Sequence, residues 1–122
     1  MQIESYQDLI VWQKAMDLAA ERYRLTKAFP KDELFGMTSQ IRRAAASIPA
    51  NIAEGWGRGT TKEYIQYLRI AQGSTKELET HLLLSQRVNL MSVDQARPTM
   101  QLVAEVSRMT ISLIGSLKRK AK

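Results

Sequence analysis

The chain has 122 residues, of which 44% are hydrophobic, 25% are charged and none is cysteine. This length corresponds to one domain with a real core, and the lack of cysteine excludes disulfides, thiolate metal sites and cysteine nucleophiles. The net charge of +6 favours nucleic acid as a partner ahead of an anionic membrane, although many small proteins are basic without such a partner.

Hydrophobic periodicity predicts four helices, at about residues 6–28, 32–56, 61–89 and 93–119, and no strand. Short connections make neighbouring helices antiparallel, so we predict an all-α, up-down-up-down four-helix bundle that forms a single domain over residues 1–122. The N-terminus has no signal-peptide pattern and no apolar run is long enough to span a bilayer, so we expect a cytoplasmic protein without a membrane partner.

The first predicted helix carries two apolar stripes. Ser5 is its expected N-cap, and it ends before Pro30. One stripe, which we assign to the core, contains Leu9, Trp12, Met16, Ala19 (or Ala20) and Tyr23. The other has seven-residue spacing and contains Val11, Leu18 and Leu25. We interpret this second stripe as a subunit interface of a homo-oligomer; the alternative is a wide stripe that faces the core of one subunit.

The second predicted helix has a proline in its interior, Pro49, which costs about 3 kcal/mol unless packing holds the bend. Its core stripe contains Leu34, Met37, Ile41, Ala45, Ile48 and Ile52. Polar residues flank this stripe, with Arg42 on one side and Arg43, Ser47, Asn51 and Glu54 on the other. We expect them to form a structural network, with nucleic-acid contact as the second choice. Three glycines from Gly55 to Gly59 end the helix.

Capping boxes mark the starts of the last two helices. Thr60 with Glu63 predicts the third helix, and Ser92 with Gln95 predicts the fourth. Pro98 leaves two alternatives for the fourth helix, a short turn before a helix that starts at Pro98, or a kinked first turn. The third stripe contains Tyr64, Leu68, Ala71, Thr75, Leu78, Leu82 and Ser85, and the fourth contains Val103, Val106, Met109 (or Thr110), Leu113 and Leu117.

Catalytic and metal-binding patterns are weak in this sequence. The sole histidine, His81, follows Glu77 by four residues, whereas helical di-iron sites use Glu-x-x-His with further glutamates. Phosphate-binding glycine loops and serine nucleophile elbows are absent from the sequence. We therefore expect neither an enzyme nor a cofactor or metal, and we interpret His81 as a packing residue.

Basic residues gather at both ends of the predicted bundle. The first end holds Arg58, Lys62, Lys118, Arg119, Lys120 and Lys122, and the opposite end holds Arg22, Arg24, Lys27, Lys31, Arg87 and Arg97. We assign Arg58, Lys62, Lys118, Arg119 and Lys120 to phosphate contact, with Trp56 and Tyr64 available to stack on bases. The alternatives are a solvated lysine-rich end and aromatic residues that cap the core.

Four segments of the sequence are familiar: YQDLIVWQKA at 6–15, FPKDELFG at 29–36, QIRRAAASIPANIAEG at 40–55 and EYIQYLRIAQGSTKELET at 63–80. They resemble the bacterial four-helix-bundle family of the 23S rRNA intervening-sequence proteins, which is related to the accessory variability determinant of diversity-generating retroelements. The resemblance implies a bundle that assembles as a ring, typically a homopentamer. In one branch it implies partnership with a reverse transcriptase through a basic surface. It brings no catalytic residues.

Two hypotheses about function follow. The first is a non-enzymatic, homo-oligomeric accessory protein that binds RNA or an RNA–DNA hybrid. The second is a protein-interaction scaffold, whose ring recruits a polymerase or a ribosome-associated partner that stays bound after nuclease treatment. A metal-dependent hydrolase is disfavoured because the necessary carboxylates are missing.

Overall fold

The computed structural model describes residues 3–33 and 36–120, so Leu34 and Lys122 lie outside the described part of the chain. It confirms the all-α class, with four long helices: α1 (Ile10–Thr26), α2 (Met37–Gly57), α3 (Thr61–Arg87) and α4 (Val93–Lys120). Short 3-10 turns precede α1 at Tyr6–Asp8 and α2 at Lys31–Glu33. No helix in the described ranges is long and apolar enough to cross a membrane.

Contacts between the helices establish the antiparallel order of the bundle. Thr26, at the end of α1, meets Arg42 of α2, whereas Tyr6 packs near Trp56 at the far end of α2. Ser47 pairs with Ser74 of α3, while Gly55 lies against Tyr67. Adjacent helices therefore run in opposite directions, and the closed arrangement places the α2–α3 turn and the last turn of α4 at the same end.

The predicted caps are present with two departures, the first being that Ser5 caps the 3-10 turn at Tyr6–Asp8 and not α1, whose N-cap is Leu9 without a side-chain bond. Ser92 and Gln95 form a complete capping box, since each side chain accepts a bond from the other residue's backbone N–H. The helix α4 then continues through Pro98, so it does not start there. At α3, Thr60 accepts from the backbone N–H of Glu63, but its hydroxyl also donates to the Glu63 carboxylate. In the predicted capping box the Glu63 carboxylate would instead accept from the backbone N–H of Thr60.

The core assignment in α1 is confirmed only in part: Ala19 is buried and Leu9 and Trp12 are half-buried against the core, but the other residues of the two stripes are exchanged. Val11, Leu18 and Leu25, which we assigned to a subunit interface, are at most 6% exposed and belong to the core of the subunit. Met16 and Tyr23, which we assigned to the core, are 44% and 53% exposed. Both stripes have helical spacing, so periodicity could not rank them. Small and aliphatic side chains on the Val11 stripe pack closely, whereas tyrosine keeps its polar end in water.

The other three helices bury most of the stripe residues that the sequence predicts; in α4, Val103, Val106 and Thr110 are buried, whereas Leu113 and Leu117 are half-buried. In α2 the fully buried residues include Ile41, Ala45, Ile48 and Ile52, and Pro49 is buried beside them within a continuous helix. In α3 the stripe from Leu68 to Ser85 is buried, including the hydroxyl-bearing Thr75 and Ser85. These two hydroxyls donate to the carbonyl oxygens of Gln72 and His81, so their burial leaves no donor unpaired.

Candidate nucleic-acid interface

The basic end of the bundle combines the start of α3 with the last turn of α4. Lys62, Lys118, Arg119 and Lys120 are all located there, and all four are exposed. None of the four has a carboxylate within ion-pair distance in the ranges 3–33 and 36–120. Uncompensated cations on one end of a small domain are the electrostatic arrangement that attracts a polyanion.

Arg58 differs from the other predicted phosphate contacts because its charge is already compensated. Its Nε lies 3.0 Å from Glu63 Oε2, its Nη1 lies 3.8 Å from Glu54 Oε2, and its guanidinium carbon lies 5.4 Å from the Tyr67 ring centre. The hydrogen bond from Arg58, followed by that from Thr60, holds the pKa of Glu63 below its usual range. Arg58 therefore secures the α2–α3 turn, where Gly59 has a left-handed φ of 90°.

Arg69 is a cation that the sequence interpretation missed. It is exposed on α3, and it lines a groove between α3 and α4 together with Lys118. The signal in the sequence was the seven-residue spacing from Lys62, which puts both cations on one face of the helix. We therefore extend the basic end along this groove.

The two aromatic residues predicted to stack on bases are packed within the protein. The Trp56 ring is half-buried and lies edge-on to Tyr6, with 6.4 Å between the ring centres. The Tyr64 hydroxyl is buried without a hydrogen-bond partner in the described residues, and burial raises its pKa to about 12. Both aromatics are therefore more suited to capping the bundle than to stacking on nucleic acid.

The polar flank of α2 forms a smaller network than the sequence suggested. Asn51 Nδ2 donates to the carbonyl oxygen and the hydroxyl of Ser47, and that hydroxyl lies 2.7 Å from Ser74 Oγ on α3. Arg42 Nε donates to Thr26 Oγ1 on α1. Arg43 is exposed and has no ion pair within the described ranges. The network thus joins α2 to α1 and α3 without Arg43.

A second surface feature is an apolar groove between α1 and α2, with a volume of about 460 Å³. Its α1 side contains Trp12, Met16, Ala19, Ala20, Arg22 and Tyr23, and its α2 side contains Ala46, Pro49, Ala50 and Ala53. The guanidinium groups of Arg22 and Arg42 lie 4.6 and 4.8 Å from the Tyr23 ring centre. Aromatic, methionine and arginine side chains around a small-residue floor are typical of protein interfaces.

The surroundings of the sole histidine do not form a metal centre. His81 is half-buried on α3, and within residues 3–33 and 36–120 no three histidine, aspartate or glutamate side chains gather closely enough to hold a metal ion.

The fold and surface define a basic four-helix-bundle protein that has, within the described ranges, unpaired exposed cations where the α2–α3 turn meets the last turn of α4. The chain belongs to the 23S rRNA-intervening sequence protein family, whose model matches residues 7–112. A similar solved structure is a protein of unknown function from the S23 ribosomal protein family of Bacteroides thetaiotaomicron. It is 27% identical, with a TM-score of 0.78, and the match covers 86% of this chain and 98% of that one. Among curated proteins, none matches significantly.

Proposed function

We propose that this chain is a non-enzymatic, homo-oligomeric accessory protein that binds nucleic acid, RNA or an RNA–DNA hybrid, through its basic end. The observation that carries the proposal is the set of cations without carboxylate partners in the described ranges, Lys62, Lys118, Arg119 and Lys120. The family name, which refers to an intervening sequence of 23S rRNA, supports RNA as the first substrate to test. The proposal places the protein in the cytoplasm.

Lysine and arginine side chains on a rigid helical end bind phosphates by charge and release condensed counterions. Such binding depends little on base sequence, because phosphate contacts position a protein without reading bases. Arg58 contributes indirectly in this scheme. By holding the α2–α3 turn, it sets where α3 begins and therefore where Lys62 projects.

A salt series tests this function. Fluorescence anisotropy of a labelled structured RNA and a matched duplex DNA, with protein freed of co-purified nucleic acid, is expected to show affinity that falls linearly on a log–log plot against salt. Four contacts on a duplex correspond to a slope of about −3.6, at about 0.9 per phosphate. Folded protein that binds neither probe at low salt would contradict the proposal.

Assembly is the second part of the proposal, and the α1–α2 groove supports it. This groove is apolar and includes the exposed Met16 and Tyr23, so covering it with another copy would remove apolar surface from water. We propose that it replaces the Val11 stripe as the subunit interface of a ring, for which the family resemblance implies five subunits. The alternative scaffold function would use the same groove for an amphipathic helix of a polymerase or a ribosome-associated protein.

Met16→Glu is expected to dissociate the ring, because assembly would bury an unpaired carboxylate. Light scattering after size exclusion should report about 70 kDa for a wild-type pentamer of 13.9 kDa subunits and the subunit mass for the variant. Val93→Glu is the matched control, since Val93 is 61% exposed and does not line the groove. Wild-type protein that is monomeric at micromolar concentration would contradict the assembly and favour a helix from another protein.

A further inference from the structure

A groove between α3 and α4 adjoins the basic end. Its volume is about 510 Å³, and it opens to solvent. The lining residues are Arg69 and Gln72 from α3, with Ile111, Ile114, Gly115 and Lys118 from α4. The groove thus combines cations, one amide and an apolar wall, which is the combination found in sites for small ligands that are partly charged and partly apolar.

The charges of this groove favour an anionic occupant. Arg69 lies on the α3 side and Lys118 on the α4 side, and neither has a carboxylate partner among residues 3–33 and 36–120. The groove is continuous with Arg119, whose Nη1 lies 3.4 Å from the place that a Cβ on Gly115 would occupy. A ligand in the groove would therefore have a phosphate or carboxylate within reach of several cations.

The apolar wall favours a flat, partly apolar group beside that anion. Ile111 is 56% exposed, and Ile114 is partly buried beside it. Gly115 adds no side chain, so the space next to these isoleucines stays open. A single nucleobase has an apolar face of a size that this volume accommodates, and the purely charged side chains of an acidic peptide would gain nothing from the isoleucines.

Gln72 supplies a hydrogen-bonding group with unused capacity. Its Nε2 donates to Ser107 Oγ at 2.7 Å, which anchors the amide. Its Oε1 is buried and has no partner in the described part of the chain. An unpaired buried acceptor is unfavourable, and an N–H group on the edge of a base in the groove would supply the missing donor while Nε2 stays bonded to Ser107.

We propose that the groove, here called the base groove, receives one unstacked nucleobase of a single-stranded nucleic acid. Arg69 and Lys118 hold the flanking phosphates, the isoleucines contact the base, and Gln72 accepts from its edge. This inference rests on the proposed nucleic-acid-binding function and deepens it, because it makes single strands the preferred substrate. A base within a duplex is paired and stacked, and it cannot enter without unpairing.

The test compares a labelled single-stranded 12-mer with a duplex of the same sequence, as RNA and as DNA, at one salt concentration. Wild-type protein is expected to bind the single strand at least 10-fold more tightly than the duplex. Gly115→Leu fills the base groove without changing charge, and its Cβ meets only the mobile end of the Arg119 side chain. This variant is expected to lose the single-strand preference, while its duplex affinity and salt slope change far less, because Arg119 keeps its charge and only the end of its side chain must shift.

Two further variants make the test specific. Ser112→Leu adds the same side chain at an exposed α4 position outside the groove lining, and it should behave as the wild type. Ile111→Ser removes apolar contact and should reduce single-strand affinity about 3-fold or more. A central 2-aminopurine, whose fluorescence rises when it leaves the stack, should brighten on binding to the wild type and not to Gly115→Leu.

The outcomes separate this inference from the function on which it rests. Salt-dependent binding with equal affinity for both probes, or with Gly115→Leu behaving as the wild type, would overturn the base groove and leave the phosphate-binding end intact. Displacement of the single strand by polyglutamate, equally in the wild type and in Gly115→Leu, would also overturn it, because the occupant would then need only charge. Absence of binding to every probe would remove both proposals.

Discussion

Gly55→Ala is expected to destabilise the bundle by about 1–3 kcal/mol, although alanine normally stabilises a helix interior relative to glycine by about 1 kcal/mol. A Cβ on Gly55 would lie 2.7 Å from the Cβ of Tyr67 and 3.2 Å from the carbonyl oxygen of Tyr64. These atoms are close to the backbone of α3 and cannot rotate away, so α2 and α3 would have to separate. Urea unfolding measures the change in free energy.

A second helical glycine provides the matched control. Gly73 lies in the middle of α3, and among the described residues a Cβ there would meet no side chain and no atom of another helix within 4 Å. Gly73→Ala is therefore expected to stabilise the protein by about 0.5–1 kcal/mol. The same chemical change thus has opposite signs at the two positions. If Gly55→Ala also stabilised the protein, the close approach of α2 and α3 would be wrong.

Much of the fold could be predicted from the sequence because periodicity and caps agree in most helices. The α3 stripe from Leu68 to Ser85 and the Ser92–Gln95 box are both present as predicted. The prediction of which α1 face is buried was wrong for Val11, Leu18 and Leu25 and for Met16 and Tyr23. That helix has apolar residues on two faces, and both faces have helical spacing. Which face is buried depends on the shapes of the facing helices, which no local pattern contains.

The candidate site was less predictable, since it depends on pairings between residues distant in sequence. The sequence assigns both Arg58 and Lys62 to phosphate contact because both are cations. In the structure, Arg58 pairs with two carboxylates, whereas Lys62 has no carboxylate partner among the described residues. Ser47 and Ser74, 27 positions apart, meet only because α2 and α3 pack together. Arg69 joins the basic end for a similar reason, because α4 brings Lys118 beside it.

The largest effect on binding is expected from reversing three charges at the end of α4. The triple variant Lys118→Glu, Arg119→Glu, Lys120→Glu should lower affinity for RNA at least 100-fold at low salt, because attraction to phosphate becomes repulsion. For every phosphate of a duplex probe that the variant no longer neutralises, the magnitude of the salt slope should fall by about 0.9. Fluorescence anisotropy across a salt series measures both quantities, and circular dichroism confirms that the helices persist.

A charge-matched variant distinguishes the effect of this surface on binding from the effect of a lower net charge. Lys27→Glu, Lys31→Glu, Arg87→Glu alters three exposed cations at the opposite end of the bundle, and either triple reversal lowers the net charge from the +6 of the wild type to zero. If RNA binds through the α4 end, this control should keep most of the RNA affinity and the same salt slope as the wild type. Equal reductions of affinity in both variants would show that only overall charge matters. Glutamates at the C-terminus of a helix oppose its dipole and can destabilise α4. The triple variant with glutamine at positions 118, 119 and 120 avoids this destabilisation, and it should also bind more weakly than the wild type.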